Sequence, residues 1–192
     1  MNIGLFFGSY NPVHVGHMAI AGYMAEFTDL DEVWMVVTPQ NPHKASSSLL
    51  ADYHRLRLVR EAIGDYYQKV KASNIEFDLP KPSYTVNTLI HLSEKYPQHQ
   101  FTLIMGSDNL ETFQKWKNYE VILEHYRIMV YPRPGHDGGE LKDHPKVIKT
   151  NAPLMEISAS FIRKAIKNKK DIRYMVPESV FKYIEEMHFY EK

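Results

Sequence analysis

The chain has 192 residues, with 23 Lys plus Arg against 23 Asp plus Glu, ten His and no Cys. A formal net charge of zero gives no support to a general nucleic-acid or membrane-surface role, and the lack of cysteine excludes disulfides and thiolate metal sites. With 13 Tyr, 9 Phe and 2 Trp, there is material for one sizeable core and little room for extended disorder.

Ile3 to Phe7 is an apolar run that reads as a short buried strand, and Gly8-Ser9-Tyr10-Asn11-Pro12 reads as a tight connection. A helix is predicted next, with Pro12 favouring entry and Met18, Ala21, Met24 and Ala25 keeping the helical period. His14 and His17 fall three residues apart on its expected first turn, and Gly16 leaves that side open. Backbone N–H groups and the positive end of the helix dipole make this an anion site, where two imidazoles can donate to phosphate oxygens. Taken alone, an HxxH pair reads more readily as a metal half-site or as two surface imidazoles.

Glu32 to Thr38 is a second apolar strand, stopped by Pro39, and its unbroken apolarity suits a parallel sheet covered on both faces. The polar, Pro-containing stretch from Pro39 to Ser48, which carries Lys44, reads as a mobile loop at a sheet edge. Leu56, Val59, Ala62 and Ile63 predict a helix over 54–63, and Ile75-Glu76-Phe77 predicts a short strand. Lys81 to Thr85 is a turn, followed by a helix through Leu89, Leu92 and Tyr96 that stops at Pro97. Phe101 to Met105 reads as a central strand running into Gly106-Ser107-Asp108, where sheet meets helix. A helix over 120–125, strands over 127–131 and 147–148, a Gly-rich excursion over 136–144, and helices starting near Ser158 and Pro177 complete the pattern.

Strands alternating with helices predict an α/β fold: a doubly wound, mostly parallel Rossmann-like sheet with helices on both faces. In such sheets ligands bind beyond the strand carboxyl ends, where each polar cluster above falls. With no repeat or linker, residues 1–192 read as one domain that includes the C-terminal helical segment from about 158 to 192. The first residues enter a strand without a signal peptide, and no apolar run approaches the roughly 20 residues that span a bilayer. The expected location is cytoplasmic, with neither nucleic acid nor membrane as partner; a homo-oligomer is neither required nor excluded.

The GxGxxG fingerprint and the GxxxxGKS/T phosphate loop are absent, which argues against hydride transferases and P-loop kinases. Another triphosphate cradle is on offer: Ser9, His14 and His17 near the start, Ser158 and Arg163 on a helix N-terminus near the end. An isolated SxxxxR is most often a capped helix with a solvated arginine. Here Gly-Ser-x-Asn-Pro-x-His-x-Gly-His between strand and helix resembles the HxGH signature of the nucleotidyltransferase superfamily, and Ile157 to Arg163 resembles its ISxxxxR signature. The interior is similar to the bacterial nicotinate-nucleotide adenylyltransferases. PHK at 42–44, PSYTVNTL at 82–89, MGSDNL at 105–110, the aromatic pattern from Phe113 to Leu123, RPG at 133–135 and the stretch from Arg173 to Glu178 carry that likeness over nearly the whole chain. Departures are Phe7 where many members have Gly, Tyr10-Asn11 in place of Phe-Asp, and Lys117 where relatives often carry an aromatic.

The resemblance implies adenylyl transfer from ATP to nicotinate mononucleotide, giving deamido-NAD and pyrophosphate. Mg²⁺ would accompany ATP, with no metal ligand expected from the protein. It gives His17 and Arg163 the stabilisation of transferring charge, His14 and Ser9 the steadying of the triphosphate, and Lys44 a reach to the phosphates. Gly8, Gly106, Asp108, Ile157 and Ser158 complete the expected ATP site, Asp108 accepting from the ribose hydroxyls. Thr85, Trp116, Lys117 and Arg133 are the expected acceptor residues, with Trp116 stacking on the pyridine and Thr85 beside its carboxylate. Without the likeness, Asp108 reads equally well as a helix cap, and Trp116 and Thr85 read better as a core aromatic and an N-cap. The alternatives are the same fold acting on nicotinamide mononucleotide or phosphopantetheine, and a non-catalytic adenine-nucleotide sensor.

Overall fold

The computed structural model describes residues 1–39, 49–65 and 67–191. Lys44 and the serines at 46–48 lie outside them. Six strands are described: β1 (Asn2–Gly8), β2 (Glu32–Val37), β3 (Val70–Ser73), β4 (Gln100–Gly106), β5 (Arg127–Tyr131) and β6 (Val147–Lys149). They form one sheet in the order β3-β2-β1-β4-β5-β6, and each neighbouring pair is parallel.

Side chains alternate across the strands, so one apolar run feeds two cores. Leu5, Leu103, Met105, Ile128 and Val130 face α3 (Thr85–Lys95), α4 (Ser107–Glu111) and α5 (Tyr119–His125). Phe6, Met35, Ile104 and Met129 face α1 (Val15–Phe27), α2 (Asp52–Ile63), α6 (Ala159–Lys167) and α7 (Glu178–Glu186). Ile162, Ile172, Val176, Val180 and Ile184 join that second core, so the chain after 158 packs onto the sheet face that also carries α1. Among the described residues, no helix is long and apolar enough to cross a membrane.

Two local expectations fail. Residues 75–77 are not a strand; the edge strand is β3, in register Val33 with Val70 and Val36 with Ser73. An edge strand is held by its backbone ladder and needs few apolar side chains, so Val70-Lys71-Ala72-Ser73 carries a weak signal. Residues 75–77 instead form a turn that delivers Glu76 to the interior at 1% exposure. Helix α1 also starts three residues later than Pro12 suggests, because His14 takes the N-cap and its extended backbone (φ −145°, ψ 170°) precedes the first helical residue, Val15.

The order of crossovers places β1 and β4 side by side with the chain winding away on either side of them. Between their carboxyl ends the crevice opens that such sheets use for ligands. Gly8 and the loops that follow β1 and β4 line it.

Candidate active site

The two histidines are locked together by backbone geometry. The His17 backbone N–H donates to His14 Nδ1 at 3.4 Å, and the His14 backbone N–H donates to His17 Nδ1 at 3.2 Å. This is a reciprocal capping box at the start of α1, built from imidazoles in place of Ser and Glu. The rings stack with centroids 3.7 Å apart, tilted by 25°. Because each Nδ1 accepts a backbone proton, each neutral imidazole carries its own proton on Nε2. Burial, then the Arg133 cation, push the His14 pKa down to about 4. His14 is therefore a neutral donor at physiological pH.

Tyr10 sets the depth of this pair. Its backbone is left-handed (φ 46°), its ring is buried, its hydroxyl donates to the Phe6 carbonyl at 2.5 Å, and it meets His17 edge-on at 5.0 Å. The ring lies against Gly8, where a Cβ would stand 2.7 Å from Tyr10 Cζ, so glycine is the residue this approach allows.

Residues from the far end of the chain complete the first cavity. Arg163 Nη1 donates to the Asn11 carbonyl at 2.7 Å and Nη2 to Ser160 Oγ at 3.3 Å, which aims α6 at the β1–α1 loop. Ser158 is the N-cap of α6, its Oγ accepting from Phe161 N at 3.2 Å. Gly8, Ser9, His14, His17, Asp108, Ile157, Ser158 and Arg163 line this one cavity. Gly106 stands behind it, where any Cβ would overlap Asp108 Oδ1 and crowd Arg133. Asp108 is in the first turn of α4 and does not cap it; its Oδ1 is buried with no hydrogen-bond partner among the described residues, and Arg133 Nε stands 3.9 Å away.

Arg133 departs from expectation. It lines the cavity of the histidines and not the one lined by Trp116. The cause is the turn after β5: Ser107 Oγ accepts from Arg133 N at 2.9 Å, and the guanidinium reaches across to donate to the Met155 carbonyl at 2.9 Å.

A second cavity is lined by Trp116, Lys117, Thr85, Tyr84, Ser83 and Glu76, among others. It shares the wall of Phe6, Phe7, Gly8, Ser9, Asn109 and Tyr131 with the first, so the two meet over the end of β1. Thr85 is the first residue of α3, and the N-cap is Tyr84, with no side-chain cap bond. Trp116 packs against Phe113 (5.2 Å, tilted 57°) while still lining the cavity, and Lys117 Nζ sits 4.4 Å above the Tyr84 ring.

Sequence reasoning passed over four residues here. Arg55 is fully buried and donates to the Ser9, Thr38, Pro39 and Leu50 carbonyls and to Asp52 Oδ1, at 2.6 to 3.3 Å. An arginine inside the apolar period of α2 was the available signal. Asn11 Oδ1 accepts from Leu50 N at 3.2 Å and Tyr190 Oη at 2.8 Å, tying the loop to the chain's end. Tyr10 and Glu76 carried no pattern of their own.

The fold and the paired-imidazole cradle define a nucleotidyltransferase-type domain, and the cytidylyltransferase-like family model matches residues 5–165. The chain is 57% identical, over 100% of both chains, to a protein of Flavobacterium johnsoniae named "Probable nicotinate-nucleotide adenylyltransferase", and 56% identical over 98% of both to one of the same name from Christiangramia forsetii. The chain belongs to the nicotinate-nucleotide adenylyltransferase family. The same fold is seen in the Plasmodium falciparum nicotinic acid mononucleotide adenylyltransferase complexed with NaAD, at a TM-score of 0.85 and 22% identity, covering 99% of this chain and 97% of that one.

Proposed function

We propose that the protein transfers the adenylyl group of ATP to nicotinate mononucleotide, forming deamido-NAD and releasing pyrophosphate. The observation that carries the reading is the pair of cavities joined at Gly8 and Ser9, one with imidazole and guanidinium donors and one with an aromatic wall. An acceptor phosphate entering from the second cavity meets the α-phosphate of ATP at the junction. Its oxygen bonds to the α-phosphorus while the bond to the bridging oxygen of the β-phosphate breaks, and pyrophosphate departs toward the first cavity.

A phosphate monoester is already anionic at neutral pH and needs no general base. The protein has to hold two repelling anions in line and spread the charge of the transition state. Nε2–H of His17 and the Arg163 guanidinium serve that stabilisation, His14 and Ser9 steady the triphosphate, and Lys44 keeps the phosphate-binding role its PHK context implies. Asp108 Oδ1 accepts from the adenosine ribose. Arg133, on the ATP side, neutralises phosphate charge.

Mg²⁺ would come with ATP, held by triphosphate oxygens and water. Bound that way, the ion would neutralise charge on the departing pyrophosphate. The Trp116 indole gives the pyridine a flat partner, and the first N–H groups of α3 take the carboxylate.

Pyrophosphate release from ATP and Mg²⁺, with each acceptor offered in turn, tests the reading. Release that requires nicotinate mononucleotide supports it. Release with phosphopantetheine alone, or nucleotide binding with no release, would replace it with the same-fold or the sensor alternative.

A further inference from the structure

Glu76 is a buried carboxyl group that the reaction above leaves unused. Its Oε1 accepts from Thr88 Oγ1 at 2.7 Å, which sets it against the first turns of α3. Its Oε2 is buried and has no hydrogen-bond partner among the described residues, and neither has Ser83 Oγ, two residues before Thr85. Both side chains line the cavity of Thr85 and Trp116. A buried polar atom without a partner is costly, and an unfilled pair on a cavity wall is a site for groups the ligand brings.

Resting on the acceptor assigned above, we propose that Glu76 and Ser83 read the pyridine substituent, the Glu76 carboxyl donating a hydrogen bond to the nicotinate carboxylate. As a carboxylic acid, Glu76 offers the O–H that an anion accepts. As a carboxylate, it would repel that anion and accept instead from the NH₂ of nicotinamide mononucleotide. Selectivity for the acid therefore depends on a proton held at Oε2.

The surroundings favour that proton. Burial raises the Glu76 pKa, and the Thr88, Thr38 and Ser83 hydroxyls soften the rise without closing a hydrogen bond to Oε2. These hydroxyls are what α3, the turn before it and the end of β2 present to the carboxyl. Of the charged groups on these and the neighbouring segments, Lys81 pairs with Asp52 at 3.2 Å, Lys117 sits on the Tyr84 ring, Arg55 is held by its carbonyls, Asp78 is exposed, and His91, Glu94 and Lys95 lie in the later turns of α3, the last two exposed. A bound anion lifts the carboxyl's pKa further.

The test is the ratio of kcat/KM for nicotinate over nicotinamide mononucleotide, followed from about pH 5 to about pH 9. The ratio cancels groups that act on ATP or on the shared phosphate, the two histidines included. For the wild type it falls by tenfold or more, about the worth of a charge-assisted hydrogen bond, as pH rises through the titration of Glu76. Glu76→Gln keeps Oε1 for Thr88 and a neutral donor at the other position, so its ratio stays flat across the range. In wild-type calorimetry, run in buffers of different ionisation enthalpy, nicotinate mononucleotide binds with more proton uptake than the nicotinamide form. A flat wild-type ratio, a Glu76→Gln ratio that follows the wild-type profile, or equal proton uptake for the two ligands would overturn the proposal. If the wild type fails to adenylylate nicotinate mononucleotide at any pH, the acceptor reading falls and this role falls with it.

Discussion

At the scale of single residues, His14 combines a capping role with a proton-sensitive one. Its folded pKa of about 4 lies below the unfolded value of 6.5, so between those values the unfolded chain binds a proton that the folded one refuses. Stability from this group is complete above pH 6.5 and is lost as pH falls toward 4, on the order of 3 kcal/mol in total. His14→Asn keeps a capping acceptor but cannot titrate. Denaturant unfolding at pH 5 and pH 7 should show a smaller pH difference for the variant than for the wild type, and equal differences would remove His14 as the cause. His17→Ala and Arg163→Ala should each lower turnover on the order of a hundredfold, the scale for losing a preorganised charge-stabilising donor. His17→Ala also opens the capping box, at a cost of about 1 kcal/mol, so its unfolding midpoint should shift slightly while its turnover collapses. Near-normal turnover in either variant would contradict these roles. The placement of the histidines at one helix start and of Ser158 and Arg163 at another was legible because each pair's spacing is local to a single helix. Which cavity Arg133 lines was not legible, because RPG says where a turn lies and not which way a long side chain crosses it.

Among the elements, the β1–α1 connection bears the tightest constraint. Gly8 and Tyr10 occupy each other's space, and Arg55 on α2 holds the carbonyls of Ser9, Thr38 and Pro39 in a fixed relation at the strand ends. Gly8→Ala should cost about 1 to 3 kcal/mol by overpacking, and should lower turnover further by displacing Tyr10 from His17. A fully stable, fully active variant would show that the ring can yield. Arg55→Leu matches the apolar period of α2 yet orphans several buried carbonyls, so a loss of about 3 kcal/mol or more is expected in chemical denaturation. β1, β2, β4 and β5 could be read from sequence because both faces of each are covered and their apolar runs are continuous. β3 could not, since a one-sided edge needs only a ladder, and the more apolar Ile75-Glu76-Phe77 drew the strand assignment instead.

For the molecule as a whole, the legible quantity was the alternation of strands and helices, which fixes a doubly wound parallel sheet and hence where ligands gather. The division of the crevice into two joined cavities was not legible, because it depends on which loop each carbonyl, ring or guanidinium leans toward. That division carries the central claim: the chain brings ATP and a pyridine mononucleotide together so that one phosphate attacks the other directly. Competition measures it most directly. With ATP labelled at the α-phosphate, and nicotinate and nicotinamide mononucleotides supplied together at equal concentration, the label should pass into a dinucleotide that is overwhelmingly deamido-NAD. Label in NAD at equal or greater amount, or no labelled dinucleotide from either acceptor, would contradict it.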